Sequence, residues 1–209
     1  MEAGKRRVPE HVARKVVKLF RLSPTVLPLP PAASVEAKAT DAMVEQGLAR
    51  LGYPGLAYRR KRGKRWNPSA LLLAALSVDR LDSRLAESLP WLLLSFQGWD
   101  VETLVARAKA RDLQNRLGFT VALAREVADR TPSLRHRVAE LRFLEETLNP
   151  SRLAREDTFG RRETSDRMRA WVRENRSEAA RHWNLLTDLK PEHLPYVDKD
   201  SGTVAQLPR

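Results

Sequence analysis

Asn67-Pro68-Ser69-Ala70-Leu71-Leu72-Leu73-Ala74-Ala75-Leu76 decides the fold class of this chain. Asn67 is a strong N-cap residue, and Pro68 stands at the first helical position, where its missing N–H costs nothing. The aliphatic run behind them opens a series of helices with almost no interruption. The spacing predicts one at 68–77, one at 79–88, one starting near Pro90 and ending before Gly98, one from Asp100 to about Arg111, one from Leu113 to Asp129 and one from Ser133 to Leu148. Asp100 caps Val101, Leu104, Val105 and Ala108, which keep an i, i+3, i+4, i+7 stripe. That stripe calls for an apolar residue near 112, where Asp112 stands, so a break is expected at Arg111-Asp112-Leu113.

Downstream of Asn149-Pro150 the chain is polar from Arg152 to Arg169. A last amphipathic patch then carries Met168, Trp171, Val172, Ala179, Ala180, Trp183, Leu185, Leu186 and Leu189. Trp171 and Trp183 both need a surface to bury against. The tail from Pro191 has no periodicity and is expected to strap onto the body or fray.

Upstream, Tyr58-Arg59-Arg60-Lys61-Arg62-Gly63-Lys64-Arg65-Trp66 holds six basic residues in the seven from 59 to 65. Two short arms based on Tyr58 and Trp66 and turning near Gly63 would make a basic β-hairpin. The helix ahead of it is expected between Ala32 and Tyr53, with Ser34 as N-cap, Gly52 as stop signal and Val35, Ala39, Ala42, Met43, Leu48 and Leu51 near helical spacing. Helix followed by hairpin resembles the second half of a winged helix. Ser23 to Ala33 contains four prolines and reads as an extended linker. Arg6 to Phe20 interleaves Val8, Val12, Val16, Val17, Leu19 and Phe20 with basic residues, which predicts a short basic amphipathic helix with Pro9 in its first turn. Its apolar face is small and lacks Trp, so a membrane-surface role is not the expectation.

The 209 residues divide on this reading into a basic arm at 1–22, a Pro-rich linker at 23–33, a basic helix and hairpin module at 34–66, a helical domain at 67–149 and a connector, helical patch and tail at 150–209. The fold class expected is mainly α, with one small β-hairpin.

Charge is distributed unevenly over these parts. Residues 1–65 hold 15 Lys+Arg against five Asp+Glu, a surplus of +10; residues 66–150 balance at eleven each; residues 151–209 have 12 against 10. An Arg-rich composition alone would spread the surplus evenly. A localised field attracts a polyanion, and Lys5, Arg6, Arg7, Arg59, Arg60, Lys61, Arg62, Lys64 and Arg65 are the candidate phosphate contacts, with Tyr58 and Trp66 placed to stack on an exposed base.

With no Cys, disulfide scaffolds, Cys-based zinc sites and cysteine nucleophiles are excluded. Neither Leu71–Leu76 nor Leu89–Leu94 approaches the ~20 apolar residues of a membrane span, and the first residues lack a secretory apolar core, so a cytoplasmic protein is expected. No Gly-rich phosphate loop, metal-spaced cluster or nucleophile elbow occurs, so neither a cofactor nor a metal is expected. Arg130 with His136, and Arg176 with His182, match the loose Arg-x5-His spacing of HEPN-type ribonucleases, where Arg would steady a phosphate and His move a proton. With 29 Arg in the chain, such spacings arise by chance, and these residues are expected at surfaces and helix ends. Glu145 and Glu146 are adjacent on a helix and point to different faces, which argues against a shared acid/base role.

Pro68-Ser69-Ala70-Leu71-Leu72-Leu73 and Asn115-Arg116-Leu117-Gly118-Phe119 together resemble the C-terminal domain of AbiEi-type antitoxins of type IV toxin–antitoxin pairs, over residues 67–124. The family pattern has Glu at the position of Ser69 and an aliphatic residue at the position of Thr120. The resemblance implies a DNA-binding autorepressor that opposes a nucleotidyltransferase toxin, with Arg116 and Gly118 in its structural motif. Independently of it, a glycine inside a helix costs ~1 kcal/mol and marks the close approach of another element, which is expected at Gly118. The leading expectation is a non-enzymatic DNA-binding regulator whose helical domain contacts a protein partner or another copy of the chain, with no membrane partner. The alternatives are a subunit of a larger assembly docking through its basic arm and, third, the ribonuclease.

Overall fold

The computed structural model describes residues 9–27, 39–59, 66–160 and 165–194, and these are mainly α-helical. In chain order the helices are α1 (Glu10–Leu19), α2 (Asp41–Leu51), α3 (Pro68–Leu76), α4 (Ser83–Ser95), α5 (Val101–Lys109), α6 (Gln114–Arg130), α7 (Val138–Leu148), α8 (Asp166–Glu174) and α9 (Glu178–His182). Their ends follow local chemistry. Asn67 Oδ1 accepts the Ser69 N–H at 2.8 Å, and Asp100 Oδ1 accepts the Thr103 N–H at 3.0 Å. Gly52 closes α2 in the left-handed region at φ +98°, which a residue without Cβ enters at no steric cost. The expected break is present at Asp112, whose φ of +55° turns the chain between α5 and α6.

A single core runs from Val44 to Leu194. α6 is its axis, packed against α3, α4, α5, α7 and α9. Buried Trp183 lies directly over Gly118 of α6: a Cβ there would stand 2.5 Å from the indole carbons. The close approach expected at Gly118 is therefore made by Trp183. Trp171 of α8 is half exposed instead of buried.

Several local expectations change. Pro90 does not divide two helices but lies buried inside α4, with Asp82 as the N-cap: the proline gives up the one backbone bond to the Ala86 carbonyl, and packing of the turn in the core carries the helix through. α2 starts from Thr40, while Ser34 lies outside the described residues. α1 begins after Pro9, which is its N-cap residue and not part of its first turn.

Within the Pro-rich stretch, Pro24–Val26 forms one 3-10 turn fixed to the body: Thr25 is buried, and its hydroxyl donates to the Gln97 carbonyl at 2.6 Å. Asn67 Nδ2 donates to the carbonyls of Thr25 and Leu27, so the residue that caps α3 also tethers this turn. Residues 28–38 lie outside the described set.

At the base of the expected first hairpin arm, Tyr58 and Arg59 are not extended. Pro54–Arg59 forms 3-10 turns kinked at Leu56, because Pro54 and Gly55 begin a turn directly after the α2 cap and buried Leu56 pins it to the core. Residues 60–65, including Arg60, Lys61, Arg62, Lys64 and Arg65, fall outside the described residues, as do Lys5, Arg6 and Arg7. The strand pairing found among the described residues is elsewhere and parallel: β1 (Asp157–Thr158) against β2 (Leu185–Leu186).

Candidate nucleic-acid interface

At the edge of the basic stretch, Tyr58 is 77% exposed and Arg59 stacks its guanidinium 5.7 Å from the Tyr58 ring centroid. Arg59 Nη1 also donates to Glu45 Oε2 of α2 at 2.8 Å, with its side chain half exposed. Trp66 is half-buried and packs on the core, so it anchors the C-terminal end of the basic stretch and is not a free stacking face. On α1, Lys15 and Lys18 are exposed, and the exposed Arg21 follows at φ +51°. These cations belong to the expected basic arm, although the sequence reading singled out only Lys5, Arg6 and Arg7 within it.

Three arginines of the body, Arg116, Arg125 and Arg137, are placed differently. Arg116 is buried and forks onto Asp157, Nε to Oδ2 at 2.7 Å and Nη2 to Oδ1 at 2.9 Å, while Nη1 donates to the carbonyls of Leu76 and Val78. It ties α6 to the end of α3 and to β1. Arg137 donates to the carbonyls of Leu93 and Phe96 at the end of α4 and to Glu140, whose other oxygen accepts the N–H groups of Gly98 and Trp99. Burial lowers the affinity of Arg137 for its proton and Glu140 opposes that effect. No spacing announces this clamp, because the carbonyls and N–H groups that Arg137 and Glu140 hold come from residues 93–99, which reach them only in the fold. Arg125 pairs with Glu145 at 2.6 Å, which commits one member of the adjacent carboxylates to an ion pair.

Of the two Arg-x5-His pairs, Arg130, Arg176 and His182 make structural contacts, and His136 is exposed. Arg130 pairs with Glu192 and Glu126, and Arg176 lies 3.4 Å from both Glu156 and the Leu185 carbonyl. His182 Nε2 donates to Asn149 Oδ1 at 2.8 Å, leaving Nδ1 to accept from Arg152. No group of three or more metal-ligating side chains occurs among the described residues.

A cleft of about 660 Å³ opens beside the first turns of α4, lined by Asp82, Arg84, Glu87, Asp188 and His193 over Phe159 and Leu189. Burial holds the Glu87 carboxyl above the usual carboxylate range; His193 opposes the rise and Asp82 adds to it. Three carboxylates against one guanidinium make the cleft unfavourable for a phosphate.

No family model matches this chain, and neither does any curated protein or solved structure. No helix of the described residues is long and apolar enough to cross a membrane.

Proposed function

We propose that the chain is a non-enzymatic, nucleic-acid-binding regulator of the antitoxin-like kind, acting on DNA in preference to RNA. It uses residues 1–66 on the polyanion and the helical body for protein contacts. The observation that carries this reading is the surplus of +10 in the first 65 residues, against none from 66 to 150 and +2 from 151 to 209. Two further features support it. The body arginines Arg116, Arg125 and Arg137 are committed to carboxylates and carbonyls, whereas Lys15, Lys18, Arg21 and Arg59 stand at exposed positions. The cleft in the body, moreover, has the wrong charge for a phosphate.

The test is a salt titration. Each phosphate contact releases counterions, so log K falls with log salt by about 0.9 per contact on duplex DNA. Replacing Arg60, Arg62 and Lys64 by Ala is expected to weaken binding and flatten the slope by up to ~3, while the melting temperature stays within the small range of surface substitutions. Loss of one base preference at an unchanged slope would assign an Arg to direct readout. Equal affinity at every salt concentration would remove the hairpin stretch from the interface, and docking of the basic arm on an acidic protein would take its place.

A further inference from the structure

Among the described residues, six of the eleven exposed large hydrophobics lie within one stretch of fifteen: Val12, Val16, Leu19, Phe20, Leu22 and Val26. Leu19 is 77% and Phe20 65% exposed, and no residue from 11 to 20 is buried. At 100° per residue, Val12, Val16, Leu19 and Phe20 share one face of α1, Arg14 and Lys18 take the opposite one, and Lys15 flanks the apolar face beside Leu19. Such a face on an otherwise well-packed protein marks an interaction surface.

We infer that this face of α1 is the contact between two copies of the chain. The shape of the face favours another helix. Val12, Val16 and Phe20 form an i, i+4, i+8 ridge, and Ala13 and Val17 form a second row beside it, which is the surface that helices interdigitate across. A second α1 offers the same ridge and groove about a two-fold axis. Directly after the helix, Leu22 and Val26 are exposed too, next to Thr25 and Leu27, which are fixed to the body, so the chain leaving α1 is anchored. With the apolar faces together, Arg14 and Lys18 point outward and Lys15 sits at the rim, where its ammonium stays in water. The six residues leave ~500 Å² open per copy, and covering both removes ~1,000 Å², the size at which a specific contact begins to hold. The association is therefore reversible, and since each copy carries +12, salt strengthens it by screening. Nucleic-acid binding by the same chain weakens with salt, so the two activities separate in one titration.

Sedimentation velocity of the full chain over micromolar concentrations, at low and high salt, tests the inference. The parent is expected to move from the monomer toward twice its mass, more readily at high salt. The Leu19→Glu, Phe20→Glu variant is expected to stay monomeric, with association weakened at least tenfold and an unchanged melting temperature, because both side chains are exposed. Lys15→Ala with Lys18→Ala is expected to dimerise like the parent. A parent that is monomeric throughout, or a dimer indifferent to the two Glu substitutions, overturns the inference. So does a monomeric parent that co-sediments with phosphatidylglycerol vesicles through Leu19 and Phe20, which would assign α1 to an anionic bilayer. Failure to bind duplex DNA by an intact dimer would remove the nucleic-acid reading and leave this one standing.

Discussion

Arg116 in the body and Arg59 at the edge of the basic stretch each meet a carboxylate at nearly the same distance, 2.7 Å for Arg116 with Asp157 and 2.8 Å for Arg59 with Glu45. Their surroundings differ. The Arg116 side chain is 9% exposed and adds two backbone carbonyls to its ion pair, whereas the Arg59 side chain is 55% exposed and rests on a tyrosine ring. An exposed pair contributes ~0–1 kcal/mol and yields easily to a competing anion. Removing one partner of a buried pair leaves the other desolvated and alone, at ~3–5 kcal/mol. Arg116, then, holds segments of the body together, whereas Arg59 remains accessible to a partner.

Arg116→Ala is the severest challenge to this contrast. It strands the Asp157 carboxylate and the carbonyls of Leu76 and Val78, and a loss of ~3 kcal/mol is expected in chemical denaturation. Arg59→Ala, measured beside it, is expected to cost under ~1 kcal/mol. Equal losses would abolish the distinction between the two regions.

Gly118→Ala comes next. Its new methyl would meet the Trp183 indole at 2.5 Å, backed by the closely packed core, so ~1–3 kcal/mol is expected to be lost. Pairing it with Trp183→Leu sharpens the test: the double variant is expected to be less destabilised than the sum of the two single ones, since the smaller side chain relieves the clash. Strict additivity would mean that the two residues do not meet.

The smallest effect is expected at Glu87, in the acidic cleft. Its folded-state pKa is raised above the ordinary 4.5, so folding disfavours ionisation. The stability tied to its proton is present below the unfolded pKa and lost as pH rises through the folded value. Glu87→Gln is therefore expected to melt slightly above the parent at pH 7 and level with it at pH 4. A variant less stable than the parent at pH 7 would show that the carboxylate is a useful partner to His193 and Arg84, and the cleft less hostile to negative charge than its lining suggests.

What could be read in advance followed from short-range chemistry. The caps at Asn67 and Asp100, the stop at Gly52 and the break at Asp112 depend on a few neighbouring residues, and each is present. The crowding at Gly118 was legible from a glycine inside an apolar helix, but not that Trp183 causes it. The basic stretch was visible as composition alone; of its proposed contacts only Tyr58, Arg59 and Trp66 are described, and Trp66 belongs partly to the core.

The sequence by itself determined that the chain is mainly helical, where α3, α5 and α6 begin and end, and which third carries the charge, because capping, periodicity and charge are properties of neighbours along the chain. Only the tertiary structure decided that Pro90 lies within a continuous helix, that Pro24–Leu27 is bound to the body, that Arg116 and Arg137 are buried clamps while Arg59 is open, and that the apolar face of α1 is left uncovered. Each of these turns on which distant segment supplies a hydrogen-bond partner or excludes water, and spacing along the sequence carries no record of that.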